Sequence, residues 1–422
     1  MHNALQTVFI NGKLSPWGHV FICVFVGLMA DGMDLIFLSF SLSSLSKEFM
    51  LSPVEAGSLG SITLLGMAAG GFLGGWAADR FGRVKTMVTT LLVFSLGTGA
   101  LAITDSFYQF AAVRFVSAVG LGAEYVVGNT LMAEFVPTKY RTTVLGTLQA
   151  GYSVGYVVAA LLSGWILPTC GWRWLFAVGL LPVAFTLYAR IRMPESPAWL
   201  EAKALRAQHA TGGGNAPKQS SWGIIFASAS SRAIFIAWAA TSVCLQFGYF
   251  GVNTWLPSYV EAELNISIQS LSGYLACTYS AMIFGKILAG VASDTFGRKR
   301  TFAFGGIATA AFMPVIILYH NADNILYLLT AFGFFYGIQF GVNATYMTES
   351  FATEVRALAV GGAYNIGRAG AILSPVLIGY AALNYSMGAG FIVTGAAFLL
   401  SALIPFFFIK EKLFNPQGTQ HV

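Results

Sequence analysis

The run from Val20 to Phe40 is apolar except for Asp31, Asp34 and Ser39, and it is long enough to cross a lipid bilayer. Eleven more runs of spanning length follow. Together the twelve cover residues 17–41, 55–78, 86–105, 108–132, 141–168, 172–191, 232–258, 270–292, 301–320, 324–347, 357–382 and 387–409. Lipid offers no hydrogen bonds to a peptide backbone, so segments of this length must satisfy themselves as helices. The expected fold is therefore an all-α polytopic membrane protein with twelve transmembrane helices. Composition agrees: the 422 residues are 56% hydrophobic and only 9% charged, against about 25% charged in soluble chains. Mean hydropathy is +0.70.

Lys and Arg placement sets the orientation. With both termini in the cytoplasm, only Lys47 and Arg173 fall on the outer side, and Arg114, Lys286 and Arg368 lie within helices. All other basic residues sit in cytoplasmic segments, as the positive-inside rule requires. The net charge of +6 is explained by this topology, so no nucleic-acid partner is expected. The sequence does not begin with a short apolar core followed by a small-residue cleavage site, so the first helix is expected to be retained. Residues 192–231 form the one long polar interval. They read as a cytoplasmic linker between a six-helix half at 1–191 and a second at 232–422.

The two halves repeat. Gly75-Trp-Ala-Ala-Asp79-Arg80-Phe-Gly82-Arg83-Val-Lys85 returns as Gly290-Val-Ala-Ser-Asp294-Thr-Phe-Gly297-Arg298-Lys-Arg300. The same offset carries Glu134 onto Glu349, Arg141 onto Arg356 and Gly146 onto Gly361. A repeat of six helices gives parallel copies related by an axis along the membrane normal. The loop charges at Asp79, Arg80 and Arg83, with Glu134 and Arg141, are placed to form an ion-pair network at adjacent helix ends. Asp294, Arg298, Glu349 and Arg356 repeat that set. Gly75, Gly82, Gly290 and Gly297 supply tight turns and close helix approach. Such networks latch one conformation and open in another; plain topological anchoring is the simpler alternative.

The repeated loop resembles the signature loop of the major facilitator superfamily, and twelve helices in two halves fit that superfamily along the whole chain. Asp31-Gly32-Met33-Asp34 resembles the DGxD motif of its aromatic acid:proton symporters. Asn365-Ile-Gly367-Arg368-Ala-Gly370-Ala is similar to a helix 11 segment of the same family, and Asn253-Thr-Trp255-Leu-Pro257 to its helix 7 end. Two features are closer to sialic-acid symporters and sugar porters: Arg114 through Glu124-Tyr125 in helix 4, and Pro194-Glu195-Ser196-Pro197 after helix 6. The resemblance implies a monomeric secondary transporter in a bacterial inner membrane, moving a small organic anion with protons. The fifth helix lacks the Gly-Pro pattern of drug/proton antiporters, which favours symport.

Ionisable side chains inside a bilayer usually face an interior cavity and pair with each other. Asp31 and Asp34 share a helix face. From helical rise, Asp34 and Arg114 lie at similar depth, so an ion pair of Arg114 with Asp34 or Asp31 is expected, with Glu124 deeper. Carboxyls beside one Arg form a set that loads and releases a proton as its surroundings alternate; a static ion pair is the alternative. The repeat offset turns Asp31 into Gln246, Asp34 into Tyr249 and Glu124 into Gln339. Protonation is thus expected in the first half and substrate hydrogen bonding in the second. Gln246, Tyr249 and Asn253 share one helix face, as do Tyr336, Gln339 and Asn343; ordinary interhelical bonding is the competing reading. Arg368, flanked by Asn365, has no acid at its depth, so a substrate carboxylate is its expected partner. Lys286 either assists an anion or snorkels to the interface.

Other chemistries find no support in the chain. There is no phosphate-binding GxxxxGK[ST], no metal-ligand spacing among His or Cys, and no sign of a cofactor or an enzyme. The expected function is a proton-coupled importer of small organic acids by alternating access. Aromatic acids, or ring-cleavage dicarboxylates such as muconate, lead the substrate class. A sialic-acid or sugar-acid symporter and a proton-driven efflux antiporter are the alternatives.

Overall fold

The computed structural model describes residues 9–10, 13–136, 141–182, 193–197, 199–201, 203–204, 226, 229–264, 266–321, 323–351 and 356–409. A two-residue hairpin pairs Phe9–Ile10 with Lys13–Leu14. Among the described residues twelve helices follow: α1 Pro16–Glu48, α2 Pro53–Phe81, α3 Arg83–Leu101, α4 Phe107–Phe135, α5 Arg141–Cys170, α6 Trp172–Ala177, α7 Ala229–Leu264, α8 Ile268–Phe296, α9 Arg298–Tyr319, α10 Ile325–Glu349, α11 Arg356–Asn384 and α12 Met387–Phe408. Among the described residues, 11 helices are long and apolar enough to cross a membrane. The expected sixth span is described only over α6 and the 3-10 turn Val178–Leu180; the rest, and most of the 192–231 linker, lie outside the described residues.

Side-chain caps set several helix starts. Ser15, Ser106 and Ser386 accept backbone N–H bonds at the beginnings of α1, α4 and α12. Ser52 and Glu55 form a reciprocal capping box on α2. Several helices outrun their apolar cores. α1 reaches 33 residues because the polar stretch ending Ser46-Lys47-Glu48 extends the ladder past the hydrocarbon at no cost in unsatisfied backbone.

The chain forms two compact units, one of residues 1–216 with 256–276 and one of 217–255 with 277–422. Each contains the same pair of backbone approaches, in which glycine is required because a Cβ would overlap the facing carbonyl. In the first unit, a Cβ on Gly70 would lie 2.0 Å from the Val119 carbonyl oxygen, and one on Gly122 2.0 Å from that of Met67. In the second, Gly285 meets Phe334 and Gly337 meets Met282 in the same manner, at 2.1 and 2.2 Å. All four residues of the first set map onto the second by the offset of the loop repeat, so the repeat holds at the level of helix packing.

Gly122→Ala or Gly337→Ala should destabilise the protein by about 1–3 kcal/mol through overpacking. Gly273→Ala, where a Cβ has open space, should leave stability unchanged. Thermal unfolding of the detergent-purified protein measures both.

Candidate functional site

Four helices of the first unit meet at one buried ion pair. Arg114 on α4 places Nη1 2.7 Å from Asp34 Oδ2 and 2.9 Å from Oδ1 on α1. Its Nε donates to Thr63 Oγ1 on α2 at 2.8 Å. Thr98 on α3 donates to Asp34 Oδ1 at 2.9 Å and bonds Ser117 Oγ on α4 at 2.8 Å. Ser117 in turn donates to the Phe94 carbonyl. Arg114, Thr98 and Ser117 are 0% exposed and Asp34 only 2%. A buried charge pair is tolerable only with such geometry and such supporting bonds. Of the two expected partners for Arg114, the structure pairs it with Asp34.

Asp31 and Glu124 are as deeply buried but unpaired. They are 0% and 1% exposed, and none of their carboxyl oxygens has a hydrogen-bond partner among the described residues. Glu124 reaches across from α4 to lie against Gly27 of α1. A Cβ there would stand 1.8 Å from Glu124 Oε1, so only glycine admits the carboxyl at that spot. Gly27, Asp31 and Asp34 recur at i, i+4 and i+7, one face of α1. The three acids therefore climb α1 in order: Glu124 at the level of Gly27, Asp31 one turn on, then Asp34 with Arg114. Ionised carboxylates without partners are very costly in an apolar interior, and neutral acids far less so. Asp31 and Glu124 thus lack a counter-charge among the described residues, whereas Asp34 is held by its cation.

The repeated loops carry matching ion pairs. Gly82 and Gly297 hold φ of 109° and 93°, a region open to glycine at little cost. Each turn lets the next residue reach back: Arg83 to Asp79 at 2.7 Å and Glu134 at 3.1 Å, Arg298 to Asp294 and, at 3.4 Å, to Glu349. Arg80 stands apart, with its guanidinium over the Trp76 and Phe81 rings. Arg356 donates to the Phe351 carbonyl, and the side chain of Arg141 lies outside the described residues. Gly75 and Gly290 leave room for a Cβ, so close approach is not what they provide. Glu195 joins the first loop: its carboxylate accepts from the backbone N–H groups of Arg83 and Val84 at 2.9 and 3.1 Å, capping the N-terminus of α3. The signal for it was the Pro194-Glu195-Ser196-Pro197 motif.

In the second unit the positions matching the acids are neutral and mostly self-satisfied. Gln246 donates to the Tyr364 carbonyl at 2.8 Å. Gln339 donates to Ser401 Oγ at 3.0 Å. Asn253 donates to the Tyr336 hydroxyl, which donates to the Tyr249 carbonyl at 3.1 Å. The Tyr249 and Tyr336 rings stack at 5.4 Å and 11°, and Phe332 stacks on Tyr336 at 5.2 Å. Where the first unit has Asp34, Thr98, Arg114 and Ser117, the matching positions hold Tyr249, Met313, Leu329 and Phe332, so an aromatic cluster replaces the polar knot. Two side-chain acceptors, Asn253 Oδ1 and Asn343 Oδ1, have no partner among the described residues. Arg368, half-buried on α11, donates from Nε to Asn365 Oδ1 at 3.3 Å and forms no ion pair among the described residues.

The Major Facilitator Superfamily model matches residues 20–285 and 260–420. The chain belongs to that superfamily. It is 52% identical over 401 residues to a cis,cis-muconate transport protein of Acinetobacter baylyi, covering 95% of this chain and 96% of that protein. It is 27% identical to the sialic acid transporter NanX of Escherichia coli, covering 97% of this chain and 99% of that one. A crystal structure of a D-xylose-proton symporter superposes with a TM-score of 0.78 at 21% identity, covering 94% of this chain and 99% of that one, which establishes the shared fold.

Arg114→Ala should cost about 3–5 kcal/mol, because it strands the Asp34 carboxylate without its cation. The Asp34→Asn/Arg114→Gln double variant should recover much of that loss. Denaturation of the purified variants in a double-mutant cycle tests the coupling.

Proposed function

We infer that this multi-pass membrane protein imports small organic acids together with protons by alternating access. The reading places it in a bacterial inner membrane with both termini cytoplasmic. One observation carries it: two buried carboxyls without partners among the described residues, Asp31 and Glu124, stand in the unit that also holds the Asp34–Arg114 pair, whereas the matching positions of the other unit are neutral and its Arg368 forms no ion pair among the described residues. Protons are exchanged at Asp31 and Glu124. Asp34 and Arg114 hold the surrounding helices and sense the change in charge beside them. Arg368 grips a substrate carboxylate through its planar fork, with Asn365, Asn343 and Asn253 completing a polar wall. Gln246, Tyr249, Tyr336 and Gln339 shape that wall from behind. The Asp79–Arg83–Glu134 and Asp294–Arg298–Glu349 sets serve as conformational latches.

The substrate class follows from similarity. The muconate relative shares 52% of residues against 27% for the sialic-acid relative, which favours muconate-like dicarboxylates and aromatic acids. A sialic-acid or sugar-acid symporter remains the second reading, because Glu124-Tyr125 and the Glu195 motif resemble those proteins.

Proteoliposomes with an alkaline interior should accumulate labelled cis,cis-muconate, and external medium should turn alkaline as substrate enters. Acidification on substrate addition would point to antiport, and no accumulation of any organic acid would sink the reading. Asp31→Asn and Glu124→Gln should each lose uphill accumulation by at least about tenfold, one pH unit of driving force per proton, yet retain substrate counterflow. Arg368→Ala should lose binding; full affinity would remove Arg368 from the site.

A further inference from the structure

We propose that the first unit carries a specific site for an anionic diacyl phospholipid, in a groove formed by α2, α3 and α4. This goes beyond the transport reading and holds whichever acid is carried. The groove encloses about 400 Å³. Leu73, Ala77 and Phe81 form one wall and Val93 part of the other, over a floor that includes Gly120 and Ala123. The floor is low because its residues are small. Gly120 lies against α3 backbone, where a Cβ would stand 2.6 Å from the Phe94 nitrogen. The lining of α3 runs from Lys85 to Val93, which is about 12 Å of helix. The lining is almost entirely apolar, and Leu73 and Phe81 are 55% and 49% exposed. An acyl chain matches it in shape and chemistry.

The mouth says which lipid. The turn at Gly82 brings the end of α2 and the start of α3 together, so Phe81 and Lys85 both line the opening. Lys85 is exposed and forms no ion pair among the described residues. Arg80, also exposed, covers the outer face of the Phe81 ring at 5.8 Å. The nearby loop cation Arg83 is neutralised by Asp79 and Glu134, which leaves Lys85 and Arg80 as cations available to a phosphate. A third group lies beneath them: Thr86 lines the groove, is 5% exposed, and its hydroxyl has no hydrogen-bond partner among the described residues. Its neighbours Thr89 and Thr90 bond their own helix. A buried hydroxyl that neither bonds its helix nor meets water is suited to a lipid glycerol or ester oxygen. Exposed Trp76 and Phe81 set this mouth at the headgroup level, where aromatic side chains concentrate. Basic pockets at that level recognise anionic headgroups.

The test is native mass spectrometry of the full chain released from detergent supplemented with equal phosphatidylglycerol, phosphatidylethanolamine and phosphatidylcholine. The unsubstituted protein should retain one phosphatidylglycerol in preference to the others. Lys85→Gln should cut that preference about fivefold, the usual effect of one cation on anionic-lipid attraction, and Lys85→Arg should restore it. Ala77→Trp, which fills the groove, should abolish retention of every diacyl lipid while its far-UV circular dichroism stays unchanged. Equal retention of the three lipids by the unsubstituted protein would overturn the proposal. Undiminished retention by Ala77→Trp would do the same. So would a dimer that Ala77→Trp dissolves, since the groove would then be an interface between copies.

Discussion

Everything in the first unit is arranged around the cost of a charge inside a membrane. Arg114 and Asp34 are fully buried, and neither could remain ionised at that depth alone. Their pairing is supported by Thr98, which bonds Asp34, by Thr63, which accepts from Arg114, and by Ser117, which braces Thr98. The pair consequently fixes α1, α2, α3 and α4 at one relative depth. The glycine contacts at Gly70 and Gly122 bring α2 and α4 close enough for Thr63 to reach the guanidinium. With Asp34 committed to Arg114, no cation among the described residues pairs with Asp31 or Glu124. Their isolation is therefore a consequence of the knot above them, and it is what makes them candidates for carrying protons.

The two units show which parts of a duplicated fold are free to change. Backbone approaches are shared residue for residue: Gly70 with Gly285, Gly122 with Gly337, and the left-handed turns at Gly82 and Gly297. The chemistry between the helices is not shared. Asp34, Thr98, Arg114 and Ser117 correspond to Tyr249, Met313, Leu329 and Phe332, and the second unit fills the space with stacked rings around Tyr336. The first unit fills this space by hydrogen bonding and the second by dispersion. The proposed division, protonation in the first unit and anion recognition in the second, relies on this shared scaffold with unlike interiors.

The helices, the repeat and the pairs of Arg83 and Arg298 could be read from the sequence because each rests on a long or repeated pattern, whereas Arg80, which lies on two aromatic rings, and Arg356, which donates to a backbone carbonyl, stand outside the pairs expected of them. The Asp34–Arg114 pair was half legible: helical rise gave the depth, but choosing Asp34 over Asp31 needed the rotation of α1 against α4. Thr63, Thr98 and Ser117 were not legible, since hydroxyl residues in membrane helices commonly bond their own backbone, as Thr63 also does at the Leu59 carbonyl, and nothing in the chain marks which of them also meet a charge or a second helix. Gly27 was equally silent. Its role is to leave space for Glu124, and a missing side chain has no signature until the facing helix is in place. Of the second-half polar faces, Gln246, Tyr336 and Gln339 direct donors to groups within their own unit.

The loops also carry an asymmetry that the repeat conceals. Arg83 and Arg298 make equivalent pairs, but in the first unit Glu195 additionally accepts from the N–H groups that open α3. A carboxylate at a helix N-terminus gains both hydrogen bonds and the favourable end of the helix dipole. The position related to Glu195 by the repeat is Lys410, a cation that can do neither for α9. Trp199 adds a bond from its indole nitrogen to the Asp79 carbonyl at 3.0 Å, tying the same segment to the end of α2. Disrupting the first loop therefore breaks a set of charge-assisted bonds with no sequence counterpart in the second. Among the described residues the loop at Arg83 is thus held by more bonds than the loop at Arg298, so the latch proposed at Arg83 has more to break when it opens.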